Sequence, residues 1–134
     1  PRFIRSLALC GGGRSGGWGL DRAGGFIGHV ALVAQRDTGV TRSLVQFRLD
    51  DPSPLLYHDE PVLRDGQLVG RITSGMYGHT VGAALGMSYV DCEPGTPRAQ
   101  VLGGTFEVDV NRVLVPATAS YRPFYDPDSL RIRL

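Results

Sequence analysis

Two short, β-branched runs joined by two turn residues constrain this chain more than any other feature. Pro61-Val-Leu-Arg64 and Gln67-Leu-Val-Gly-Arg-Ile-Thr73 flank Asp65-Gly66. Asp-Gly supplies positive φ at both central positions of a tight turn whose twist matches the strands it joins, so the segment predicts a β-hairpin. A second hairpin is predicted near the end of the chain. Phe106, Val108 and Val110 share one parity, as do Val113, Val115, Ala117 and Ala119 beyond the Asn111-Arg112 turn, and shared parity places each set on one face of its strand.

Other strand signals surround these hairpins. Leu44 to Leu49 alternates imperfectly and is broken by Asp50-Asp-Pro-Ser-Pro54, residues that favour turns and extended backbone. Ala84 to Val90 reads as a strand leading into the polar, proline-bearing connection Asp91–Pro97, and the glycine-punctuated block Thr73–Gly82 reads as a corner. Before all of these, Val30, Ala31, Val33 and Ala34 fit one face of a short helix over 27–38, with Gly39 as its stop. Five to seven short strands behind one short helix predict a mainly β fold, a Greek-key-like β-barrel of about six strands, because closing the sheet removes exposed edges. The chain then divides into a glycine-rich lead-in (1–24), a linker helix (25–40) and a barrel (41–134). Eight glycines between Cys10 and Gly25 make the lead-in a loop rather than a regular element.

Composition narrows the functional classes. A net charge of +1 with 20% charged residues selects neither nucleic acid nor an acidic membrane surface. No apolar run approaches the roughly 20 residues that span a bilayer. All 14 basic residues are arginine, so there is no amine for Schiff-base chemistry and no lysine for a phosphate-binding loop. Cys10 and Cys92 lie 82 positions apart and match no metal or redox spacing, which predicts reduced thiols in a cytoplasmic protein.

Local motifs carry little chemistry. Gly11-Gly-Gly-Arg-Ser-Gly16 formally matches G-x-G-x-x-G after the strand-like Phe3–Leu9, but further glycines occupy the place of the helix that would hold a pyrophosphate. His29, His58 and His79 are too far apart in sequence for a local metal motif. His58-Asp59-Glu60 reads as a solvated loop, since neighbours on extended chain point to opposite faces. Ser74 lacks a G-x-S-x-G setting, and its hydroxyl is expected to bond backbone in a turn.

Four segments together resemble one family. Thr73-Ser-Gly-Met-Tyr-Gly-His-Thr-Val-Gly82 resembles the T-S-G-x-Y-G-H-T-x-G segment in the C-terminal barrel of the glycine cleavage system aminomethyltransferase family. Gly25-Phe-Ile-Gly28 with Ala31-Leu32 and Gln35 is similar to its F-I-G-x-x-A-L-x-x-Q signature. Arg42–Asp51 looks like the first barrel strand, and Tyr121-Arg-Pro-Phe-Tyr-Asp-Pro127 resembles the closing P-F-Y-D-P segment. Tyr77-Gly-His-Thr80, where stand-alone enzymes more often carry a serine-proline pair, makes the chain most similar to the form fused behind flavin-dependent dimethylglycine and sarcosine dehydrogenases.

The resemblance implies a fragment of a larger protein, an expectation with which the start at Pro1 agrees, and lead-in residues that are the degenerate end of a folate-binding domain. It implies tetrahydrofolate as cofactor, FAD in the parent but not in this segment, and the parent's folate and flavin domains as partners. No catalytic residue and no metal ligand is implied within the segment. Arg122, Arg131 and Arg133 are the arginines available to grip a folate, because a guanidinium fork can pair with pterin or carboxylate. Tyr77 and Tyr125 are the rings available to stack on it. Two rivals accompany this reading: a structural or interaction barrel that binds no folate, and a stand-alone aminomethyltransferase acting on a lipoyl-carried group. An iron-sulfur assembly relative fits less well, since its lysine-glycine-cysteine segment is missing from this sequence.

Overall fold

The computed structural model describes residues 27–131. Both hairpins form as their turn residues require. Strand β2 (Pro61–Arg64) and the start of β3 (Gln67–Gly78) are joined by Asp65 and Gly66 at φ 52° and 78°. Strands β5 (Phe106–Val110) and β6 (Val113–Ser120) are joined by Asn111 and Arg112 at φ 53° and 67°. Two left-handed residues in succession are the geometry that matches strand twist. Glycine accepts it freely, whereas Arg112 does so against its own Cβ.

With β1 (Arg42–Leu49) and β4 (Ala83–Asp91), six strands close into a barrel in the order β1-β4-β3-β2-β5-β6, every neighbour antiparallel. The seam closes where β6 returns to β1, pairing Phe47 with Ala119 and Leu49 with Ala117. Because β2, β3 and β4 run consecutively and β1 lies beside β4, the path is a Greek key. The predicted class, a mainly β barrel of six strands behind one short helix, is the observed one.

Three details differ. The Thr73–Gly82 corner is mostly strand: β3 runs on to Gly78, and the turn is confined to 79–82, closing on Gly82 at φ 77°. An irregularity between Ile72 and Ser74 adds a residue on β3, which lets the strand bend while it stays paired. A one-turn helix, α2 (Arg98–Val101), follows Pro97; four residues are too few to show a helical period. The leading helix α1 (His29–Thr38) stops at Gly39, φ 81°, as predicted, yet its buried residue is Leu32. Val30 is 81% exposed, and Leu32 lies about 200° around the helix from it, on the side opposite the Val30, Ala31, Val33 and Ala34 face. Where the helix exits, Gly39 lies so close to Pro94 that a Cβ there would be 2.8 Å from the proline Cβ.

The barrel interior is filled by alternate residues. Val45, Phe47 and Leu49 of β1 are buried on one parity, and the Phe47 ring meets Phe106 edge-on at 5.3 Å. Leu56, from the long β1–β2 connection, also enters the core and is 1% exposed. Room for it is made by the cross-strand pair Gly75 and Gly86. A Cβ on Gly75 would lie 2.6 Å from the Leu56 carbonyl carbon, and one on Gly86 would lie 3.1 Å from Leu56 Cδ1. Burying a leucine in this way contributes about 1.5–3 kcal/mol. At the β2–β3 turn, Asp65 ties down the chain after α2: its Oδ1 accepts from Thr105 N at 2.8 Å, and its own N donates to Thr105 O at 2.9 Å. Val101 of α2 is thereby held in the core.

Candidate functional site

The segment after β6 is a loop built by its own polar side chains. Ser120 Oγ accepts from Arg122 N at 3.0 Å and donates to Arg122 O at 2.9 Å. The Asp126 carboxylate accepts from Leu130 N at 2.8 Å and from Arg131 N at 3.1 Å. Arg122 donates from Nη2 to Pro127 O at 3.3 Å and pairs with Asp128. The Arg131 guanidinium lies 5.5 Å above the Tyr125 ring, which is 44% exposed. Against the barrel wall, Phe124 covers the Arg48 guanidinium at 5.7 Å and Tyr121 lies beneath that of Arg98 at 5.2 Å.

Three of the five sequence-predicted site residues therefore share one loop: Arg122, Tyr125 and Arg131. Tyr77 belongs to a different element, near the end of β3, where it pairs with Ala84 and meets the His79 ring edge-on at 5.2 Å. Arg133 lies outside the described residues, as do Cys10, the Gly11–Gly16 motif and the whole lead-in.

Residues 42–126 match the family model for the glycine cleavage T-protein C-terminal barrel domain. The chain belongs to this family. Among relatives of the T-protein barrel domain, it is 44% identical over 114 residues to a 4-methylaminobutanoate oxidase (formaldehyde-forming) of Paenarthrobacter nicotinovorans, covering 85% of this chain and 13% of that protein. It is 34% identical over 106 residues to an aminomethyltransferase of Nostoc, covering 79% of this chain and 27% of that protein. The glycine cleavage system aminomethyltransferase T of Bartonella henselae superposes with a TM-score of 0.61 at 19% identity, over 95% of this chain and 29% of that one; at this identity the likeness is one of fold. The chain thus spans less than a third of the length of each of these three relatives, one of them an oxidase.

For a planar cofactor ring such as that of a folate, the closing loop of this T-protein barrel domain offers Tyr125 and Arg131, while Arg122 is already paired with Asp128. Tyr125 with Arg131 above it is an open aromatic and cationic surface. Arg122, by contrast, is neutralised by Asp128, and Asp126 sits beside Arg131 in the same loop.

His58 Nδ1 lies 3.3 Å from Asp59 Oδ2, both side chains solvated. The two do not diverge as extended neighbours would, because Asp59 takes φ 68°. Glu60 Oε1 accepts instead from Tyr57 N at 2.9 Å. Ser74 stands on the exposed face of β3 opposite Met87, in a strand rather than a turn; it is the neighbouring Thr73 that bonds backbone, donating to Met87 O at 3.0 Å. Cys92 is a free thiol, half-buried beside Val40 O at 3.9 Å. Among the described residues, no group of three His, Cys, Asp or Glu gathers as a metal site, and no helix is long and apolar enough to cross a membrane.

Sequence reasoning missed a groove on the outer wall of the barrel. Leu68 and Gly70 of β3, Tyr89 of β4 and the charged residues Arg42, Arg71 and Asp91 line an open groove of about 330 Å³ there. Its signal was Gly70 within a strand run, which marks close backbone approach.

Proposed function

We propose that this barrel is the C-terminal part of a tetrahydrofolate-dependent, aminomethyltransferase-like protein fused to a flavin-dependent dehydrogenase of the dimethylglycine or sarcosine type, working in cytoplasmic one-carbon catabolism of glycine betaine and sarcosine. The observation that carries this reading is the 44% identity to a 4-methylaminobutanoate oxidase, against 33–36% to aminomethyltransferases. Tetrahydrofolate, when bound, supplies the acceptor for a one-carbon unit, and FAD supplies the oxidation elsewhere in the parent. The barrel's own task is to close one side of the folate pocket. Tyr125 and Arg131 would lie against a planar ring, Arg122 would hold the loop's shape through Asp128, and Tyr77 would contribute from β3. A wall of this kind orients the acceptor and keeps water from a reactive one-carbon unit. Catalytic side chains belong to the remainder of the parent.

A second reading, a structural or interaction barrel without folate, draws support from the neutralisation of Arg122. The split of product separates the two. In the polypeptide that carries this barrel, Arg131→Ala combined with Tyr125→Ala is expected to shift output from methylene-tetrahydrofolate toward free formaldehyde by roughly tenfold, the size of a lost stacking and cation–π contact. An unchanged ratio removes the folate-wall role and leaves the structural module.

A further inference from the structure

The outer groove lies apart from the closing loop, and the folate reading makes no use of it. Its floor is strand backbone at Gly70, which faces inward opposite the buried Val62. A Cβ at that position would lie 2.4 Å from Tyr89 O and 2.7 Å from the buried Ser88 Oγ, so only glycine fits where β3 and β4 approach this closely. Leu68 is left 59% exposed beside it, an apolar wall open to solvent, and the Tyr89 ring supplies a second.

The charges around the groove are unbalanced. Arg42 Nε pairs with Asp91 Oδ1 at 2.7 Å, which leaves its two terminal nitrogens as donors. Arg71 spends Nη1 on Asp59 O at 3.0 Å and keeps Nε and Nη2. Two guanidiniums against one carboxylate leave one positive charge in excess, on side chains whose planar forks suit a carboxylate. A space of about 330 Å³ is at the small end of ligand sites.

We propose that this groove binds a small monocarboxylate with a short apolar body, its carboxylate on the free edges of Arg42 and Arg71 and its hydrocarbon against Leu68 and the Tyr89 ring. A neutral ligand of the same shape would leave the excess charge unanswered. A dicarboxylate would bring a second anion up against Asp91.

The test uses the 134-residue chain, isotope-labelled, titrated with 3-phenylpropanoate and separately with its neutral analogue 3-phenylpropanamide. Saturable amide shifts are expected at residues 68–71 and 89–91, with the carboxylate bound at least about tenfold more tightly than the amide, as a charge-assisted pair requires. Arg71→Gln should bring the carboxylate down to the affinity of the amide. Leu68→Glu, a change at an exposed position that leaves the core intact, should abolish binding by placing a like charge in the groove. Equal affinity for the two probes, shifts scattered over the surface, or a titration that never saturates would each overturn the proposal. Because the folate wall lies in the 121–131 loop, either site can fail while the other stands.

Discussion

At the residue scale, the barrel turns on positions where a side chain cannot exist. Gly75 illustrates this, because its missing Cβ is replaced by the backbone of Leu56, a residue 19 positions earlier in the chain. Gly75→Ala should cost about 2–3 kcal/mol in urea unfolding, the range for overpacking a closed core. A loss below about 0.5 kcal/mol would mean that Leu56 does not occupy the barrel. Gly70 plays the same part against Tyr89 O and the buried Ser88 Oγ, facing inward opposite Val62. Sequence marks both as strand glycines. Which neighbour fills the gap is not written locally, since Leu56 and Tyr89 arrive from other segments.

At the element scale, turn chemistry was the most legible part of the chain. Asp65-Gly66 and Asn111-Arg112 carry their conformations in their residue types, and each hairpin appears where those residues stand. The second turn has a weakness that the first lacks, for Arg112 holds φ 67° without being glycine. Arg112→Gly should therefore stabilise the protein by about 0.5–1 kcal/mol after the entropy that glycine adds to the unfolded chain. A lowered unfolding midpoint would show that the side chain contributes more than its backbone strain costs. The elements read less well were those whose ends are set by partners. β3 extends past Thr73 because β4 keeps pairing with it, and α1 buries Leu32 while Gly39 at its end meets Pro94 from a distant segment. Its own apolar stripe faces the other way.

At the scale of the whole molecule, stability is concentrated in the closed sheet. The buried cluster runs from Val45 through Leu56, Ile72, Val90 and Phe106 to Ala117, all of it barrel or barrel connection. Helix α1 adds Leu32 alone to the buried set and is ten residues long, short of the length at which an isolated helix holds in water. Hydrogen exchange should find the amides of 32–38 opening locally and fast while those of β1, β3 and β4 exchange only through global unfolding. Equal protection in both would show that the helix is packed as firmly as the barrel. The candidate site divides along the same line. Arg122 and Tyr125 of the proposed folate wall were legible because Tyr121–Pro127 resembles a family segment. Their condition was not: the pairing of Arg122 with Asp128 and the stacking of Arg131 on Tyr125 follow from a loop folded on the side chain of Asp126. By itself, the sequence determined the hairpins, the parity of the strands and the six-stranded class, because turn residues and period-two alternation act over neighbours in the chain. The tertiary structure alone decided where the barrel closes, which glycines face a packed leucine and which face a neighbouring strand's backbone, and which arginines keep donors free, because those depend on residues tens of positions apart meeting across the sheet.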